Sequence, residues 1–305
     1  MSDREKLEKV AEKWMDRLVN AILAFVFCFV VYVLMQVFVV CSFKIPSDSM
    51  EPALLPGDNI WVDKCSTGAR LFNLFDVLDG KEVDIHRMPG WRKFRRNDIL
   101  VFNFPYPGSW DSIALDMRLY YVKRCIALPG DTLEIQNARY AIGGVRHPLG
   151  CVDAQDKLQR LLKSGAAEET GIVLKAYPNR EEVDWSIKEF GPFYIPCKGT
   201  VVEMDTLNRL LYSNAIEWEQ KKKLSFRGDT VLLGDSVITT YCFRKNYYFV
   251  SGDKMENSRD SRYWGLLPED FIVGRVWRIG YSVDELTDKV RWNRIFRKTD
   301  RYDEE

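Results

Sequence analysis

At 305 residues, with 44 lysines and arginines balanced by 44 aspartates and glutamates, the chain is long enough for more than one folding unit and carries no net charge. A neutral chain has no overall field to recruit nucleic acid or an acidic partner, which sets those function classes aside. Seven cysteines, Cys28, Cys41, Cys65, Cys125, Cys151, Cys197 and Cys242, show no CxxC spacing, which removes the usual zinc and thioredoxin readings. Pairing among Cys151, Cys197 and Cys242 stays open, because it depends on whether their domain faces an oxidising compartment.

Residues 1–20 form an N-terminal segment in which Arg4, Lys6, Lys9, Lys13 and Arg17 alternate with acids. Leu7, Val10, Ala11 and Trp14 are spaced for one helix face, so residues 1–18 are expected to be a short amphipathic helix at a membrane surface. In residues 21–43 the only strongly polar side chain is Gln36. A helix of that length rises about 35 Å, enough to cross a hydrocarbon core of about 30 Å, and twenty-three such residues are too many for most soluble cores. A cleavable signal peptide is the rival reading, but the run is longer than a normal h-region and no small-x-small site precedes the sequence after Lys44. The segment therefore reads as an uncleaved transmembrane helix. Basic residues before it place the N-terminus in the cytoplasm and residues from Lys44 onward outside.

Beyond the anchor, short β runs alternate with Gly, Pro and Asp. Strands are expected at 59–65, 99–104, 119–128, 132–135, 231–241, 247–250 and 271–279, with a basic, loop-like stretch at 66–97. Helical pattern is confined mainly to 154–164 and 207–223. The fold class is mainly β. Its β domain, 44–131 and 247–290, is interrupted by an inserted accessory α+β subdomain, 132–246, and followed by a charged tail, 291–305, whose last residues are expected to be disordered. The insertion should leave and rejoin the β core at neighbouring points and be dispensable to whatever chemistry that core carries.

The chemistry gathers in three stretches. Ser47 and Ser49 stand just after the anchor, followed by Met50, Pro52, Leu54, Pro56 and Gly57, as in a rigid nucleophile loop. A serine hydroxyl needs a base to take its proton. His86 and His147 stand in poor contexts for a Ser-His-Asp triad, so a lysine is the natural alternative. Lys123 lies in the 119–128 strand, where alternation puts Tyr121, Lys123 and Cys125 on one face and Val122, Arg124 and Ile126 on the other. Both faces are largely apolar, so the ammonium should lose hydration and its pKa should fall. A solvated lysine on an edge strand is the plainer alternative. The third stretch, from Gly252 to Gly265, is polar and turn-rich. Within it the spacing of Asp260 and Arg262 permits a bidentate pair that would rigidify the loop, with Ser258 or Ser261 presenting a hydroxyl to the lysine.

From the anchor to about residue 279 the chain resembles type I signal peptidases, membrane-bound Ser/Lys endopeptidases that remove signal peptides from exported proteins. The resemblance rests on four motifs in family order: Ser47, Ser49, Met50, Pro52 and Leu54; then Arg96, Asn97 and Asp98; then Lys123 and Arg124 with Pro129, Gly130 and Asp131; and lastly Gly252 to Gly265. It implies Ser49 as nucleophile, Lys123 as general base and Ser258 as the lysine-orienting hydroxyl. The Ser49 N–H and the Ser47 hydroxyl would form the oxyanion hole. Asp260 and Arg262 would hold the geometry, and Phe43, Ile45, Pro46 and Val122 would line shallow pockets for small residues at −1 and −3. It further implies a bacterial plasma-membrane protein with its catalytic domain on the outer, periplasmic face, acting on exported preproteins, with no metal and no organic cofactor. Two departures stand out. The final motif ordinarily begins Gly-Asp-Asn-Arg where this chain has Gly252, Asp253, Lys254 and Met255, and Ala127 stands where a glycine is usual. A LexA-type self-cleaving protein, and a membrane-anchored binding or scaffold protein with an inactive site, are the alternatives.

Overall fold

The computed structural model describes residues 3–81, 83–167, 169–228 and 230–299, with side chains described from residue 12 onward. The N-terminal helix α1, Asp3–Leu34, is continuous through the junction that the sequence suggested near residue 20, and ends in a π-helical turn, Met35–Val39. No separate surface helix is seen. The side chains of Leu7, Val10 and Ala11, expected on its apolar face, lie outside the described residues. From Glu12 to Val39 the mean hydropathy reaches 2.8 and none of that stretch is buried in the rest of the fold. By length and composition it suffices to cross a bilayer.

Helix gives way to strand at Val40, earlier than the expected end of the anchor at residue 43. Val40–Lys44 is β1, paired antiparallel with β2, Asp58–Asp63, in the register Val40 to Asp63 and Lys44 to Asn59. β-Branched and aromatic side chains at Val40 and Phe43 suit that pleat. Lys64 Nζ donates to the carbonyls of Gln36 (2.8 Å) and Val37 (3.3 Å), tying the sheet to the helix end.

The other strands of this sheet are β3, Ile99–Asn103; β4, Tyr120–Ala127; β5, Tyr247–Ser251; β6, Leu267–Pro268; and β7, Ile272–Ser282. Their spatial order is β1-β2-β7-β3-β4-β5-β6, antiparallel throughout. Strands β3 and β5 are buried along their whole length, and their continuous apolar runs give the sheet a core on each side.

Between β4 and β5 lies the insertion. It leaves and returns on adjacent strands, and its contents are α and β: a three-stranded sheet of Thr132–Gln136, Arg139–Ile142 and Phe190–Tyr194, helices Val152–Lys163 and Asn208–Gln220, and smaller β pairs. The expected 231–241 strand is broken into three, Thr230–Leu233, Ser236–Ile238 and Thr240–Cys242, because the chain reverses at Gly234, which takes φ +60°. The insertion packs directly against the sheet. One buried cluster contains Leu133, Phe190, Phe193 and Tyr212 of the insertion together with Ile126, Ala127, Tyr247 and Phe249 of the sheet.

The tail also differs from expectation. Arg294 is buried and donates Nε to Asp58 Oδ1 (2.9 Å) and Nη2 to Oδ2 (2.5 Å), and Lys298 bridges to Arg278 of β7. Residues 291–299 therefore belong to the folded domain; an ion pair buried at this depth holds them there. The last residues of the tail, expected to be disordered, lie outside the described residues, which end at residue 299. All seven cysteines are free thiols.

Candidate active site

The turn between β1 and β2 carries both serines. Ile45 N donates to Asp58 O (2.8 Å) and Gly57 N to Ile45 O (2.9 Å), so the turn is closed at its base. Met50 and Leu54 are buried beneath it against Ile60, Val62, Val101 and Val276. That packing leaves Ser49 partly exposed and Ser47 exposed above a fixed apolar floor.

Lys123 approaches from β4, opposite Leu100 of β3. Its side chain is 4% exposed, and Nζ stands 2.6 Å from Ser49 Oγ. Its ammonium also lies 5.8 Å from the centre of the Tyr121 ring. Loss of hydration lowers its pKa from 10.5 to about 8, against the opposing pull of Asp260; Arg262 adds to the depression, while Asp253 and Asp48 work against it. This is a buried lysine, not a solvated one.

The stretch after β5 forms the far wall. Arg262 donates Nε to Asp260 Oδ1 (2.8 Å) and Nη2 to Oδ2 (2.9 Å), both residues being fully buried. Asp260 Oδ2 also accepts from Gly252 N (2.9 Å) and Ser251 Oγ (3.1 Å), and Arg262 Nη2 donates to Met255 O (2.9 Å). Burial alone would raise the Asp260 pKa, but the guanidinium outweighs it and holds the carboxyl below the ordinary carboxylate range. Gly252 has no room for a side chain, since a Cβ would lie 2.2 Å from Ser258 Oγ and 2.6 Å from Ser49 O.

The expected hydrogen bond from Ser258 to Lys123 is absent. The Ser258 hydroxyl is buried without a hydrogen-bond partner; it lies near enough to Asp260 to favour the charged carboxylate, yet outside hydrogen-bonding geometry. Ser261, the other candidate, accepts from Val250 N (3.0 Å) and so faces β5. Of the residues matched to substrate pockets, Phe43 and Val122 are half-buried on the same apolar cluster as Met50, and Pro46 is exposed. Ile45 is only 3% exposed and belongs to the core beneath, where it can form no more than a floor. A cavity of about 670 Å³ lined by Ile113, Trp218, Lys245 and Asp270 includes none of these residues.

Sequence reasoning missed three links. Arg124 donates Nε and Nη2 to Asp253 (2.7 and 2.6 Å) in a pair only 2% exposed on either side. Lys254 joins the Ser49 loop through Asp48 and Glu51. Tyr140 of the insertion donates to Ser251 Oγ (2.6 Å), which reaches Asp260. The first was hinted at by β4 alternation, which turns Arg124 away from Lys123; the others had no local signal. Arg96, singled out as part of a motif, pairs with Asp131 (2.6 Å) and so braces the sheet rather than the site.

A serine oxygen in hydrogen-bonding contact with an amine whose pKa is depressed towards neutrality can be deprotonated as it attacks a carbonyl, which is the requirement of nucleophilic acyl transfer. Among the described residues no cluster of His, Cys, Asp or Glu is arranged to hold a metal ion.

Comparison with known proteins converges on one group. A sequence model described as "Signal peptidase, peptidase S26" matches residues 18–280. The chain belongs to that family. It is therefore a peptidase. Relatives include signal peptidase I of Buchnera aphidicola subsp. Acyrthosiphon pisum, 28% identical over 96% of this chain and 85% of the relative. Signal peptidase I of Pseudomonas fluorescens is 28% identical over 84% and 70%, and that of Aquifex aeolicus 27% over 79% and 75%. A solved signal peptidase I from Enterococcus faecalis is 20% identical, with a TM-score of 0.27 over 60% of this chain and 97% of that one. In this S26 peptidase the first, third and fourth motifs meet around one contact, Lys123 Nζ to Ser49 Oγ.

Proposed function

We propose that this S26 peptidase is a membrane-anchored serine endopeptidase that removes N-terminal signal peptides from exported preproteins, cleaving after small residues at −1 and −3. The observation that carries the mechanism is the 2.6 Å contact between Ser49 Oγ and an amine whose pKa lies near 8. The relatives' name supports the substrate class.

Ser49 attacks the scissile carbonyl while neutral Lys123 takes the hydroxyl proton. The carbonyl oxygen, now an anion, is received by the Ser49 N–H and the Ser47 hydroxyl, donors of a kind commonly worth about 3 kcal/mol each. The Lys123 ammonium returns the proton to the leaving amine, and a water deprotonated by the same lysine then hydrolyses the Ser49 ester. Asp260 and Arg262 keep the 252–265 wall at a fixed distance from Ser49. The half-buried Phe43 and Val122 offer an apolar strip against which small side chains at −1 and −3 would pack. In this reading the apolar helix anchors the chain in the bilayer, with the site on the outer face and residues 1–20 inside, as the basic residues before the helix favour.

Cleavage of a small-x-small peptide by the detergent-solubilised chain tests the dyad. Ser49→Ala and Lys123→Ala should each abolish cleavage as completely as the double variant, since groups acting as a unit are far from additive. Lys123→Arg should fail equally, because a guanidinium stays protonated. In the native enzyme activity should rise as pH passes through about 8. Substantial cleavage by Lys123→Ala would assign the base to another group, His86 being the next to examine. Protease added to intact spheroplasts should digest the domain after Lys44 and spare residues 1–18; protection of that domain would reverse the topology.

A further inference from the structure

The Ser49 turn and the 252–265 wall meet at a second lysine, in a position where the family motif ordinarily carries asparagine. Lys254 N donates to Ser49 O at 3.0 Å. Its ammonium pairs with Glu51 (3.0 Å) on one side of Ser49 and with Asp48 on the other. Asn257 adds a hydrogen bond from Nδ2 to Asp48 Oδ1 (3.1 Å). A neutral amide would leave those two carboxylates without a cation.

We infer that Lys254 is a positioning residue for cleavage: it locks the Ser49 turn onto the opposite wall and cancels the negative charge that Asp48 places beside the Ser49–Lys123 pair. The inference rests on the reading of that pair as the catalytic dyad.

A pattern across the whole site supports it. The largest charge effects on Lys123 come from Asp260, Arg262, Asp253 and Asp48, with the Tyr121 ring on its own strand. Each of the three carboxylates would hold the amine protonated, and each is matched by a cation: Asp260 by Arg262, Asp253 by Arg124 and Asp48 by Lys254. Two of the three cations are guanidiniums, which do not deprotonate. The third is kept charged by its hydrogen bonds to Asp48 and Glu51, which raise the Lys254 pKa above its ordinary value. Lys254 thus stays an ammonium over the pH range in which Lys123 gives up its proton.

The test is the pH dependence of kcat/KM for a small-x-small peptide, measured on the full chain in detergent. Lys254→Met should move the ascending limb up by about half a pH unit, as expected when the Asp48 carboxylate that acts on Lys123 loses its matching cation. Lys254→Arg should keep the native limb, and adding Asp48→Asn to Lys254→Met should bring it back down. A uniform loss of activity with an unshifted limb, or no reversal by Asp48→Asn, would overturn the inference. If Lys254→Met does not fold, Asp48→Asn alone decides: its limb should move below the native one, and an unmoved limb counts against the role. Residual cleavage by Ser49→Ala would sink the dyad reading itself, whereas silence of Ser49→Ala together with an unshifted Lys254→Met limb sinks only the role of Lys254.

Discussion

Strands β4 and β5 run side by side through two environments of opposite character. At one end Lys123, Arg124 and Ser251 stand among buried charge, where Asp260 pairs with Arg262, Arg124 pairs with Asp253 and Lys123 contacts a neutral hydroxyl. At the other, Ile126, Ala127, Tyr247 and Phe249 join the insertion in an aromatic core. There Phe193 has ring centroids of Tyr177, Phe190, Tyr212 and Phe249 within 5.8 to 6.5 Å. Buried ion pairs contribute little net stability once desolvation is counted, whereas buried aromatic area contributes a great deal. The polar end fixes geometry and reactivity, and the aromatic end supplies the stability on which that geometry stands.

The comparison can be broken most severely from the aromatic end. Replacing residues 132–246 with a short linker should abolish cooperative unfolding, not merely trim activity, because it removes most of a shared core and the Tyr177 N to Arg262 O bond (2.8 Å) behind the site. Scanning calorimetry checks this; a linker variant with a sharp transition and retained peptide hydrolysis would restore the insertion to an accessory role.

A smaller cut at the same end is Phe193→Ala, expected to cost about 3–5 kcal/mol as a large buried side chain is lost. Denaturant titration reads the loss. At temperatures where the variant stays folded its pH profile should match the native one, and a shifted profile would mean that the two ends are not separable.

From the polar end the sign reverses. Lys123→Met should abolish cleavage yet stabilise the fold. The folded-state pKa of Lys123 lies below the unfolded one, so the unfolded chain binds the extra proton and stability rises with pH between about 8 and 10.5. Below that window the buried amine costs about 3 kcal/mol, which methionine removes. Thermal unfolding of both proteins from pH 7 to 10.5 should show the variant's advantage shrinking as pH rises. A Lys123→Met protein less stable than the native one at pH 7 would show that the lysine is held for stability as well as for chemistry.

The sequence alone determined whatever is local or periodic. A continuous apolar run announced the membrane-competent helix, period-two runs announced the sheet strands, and the serines, the lysine and the 252–265 motif announced the chemistry, because each signal lies within a few residues of itself. Where such signals misled, a long-range partner overruled them: β2 drew Val40 out of the helix, and Asp58 drew Arg294 out of the tail into the fold. Only the tertiary structure decided which carboxylate met which cation. Asp48 and Lys254 are 206 positions apart, and Arg124 and Asp253 are 129 apart. Charge carries no directional or periodic mark in a chain, so those pairings existed only once the antiparallel sheet had brought β1, β4 and β5 to one place. The depressed pKa of Lys123 is likewise a property of that place, since desolvation depends on every neighbour at once.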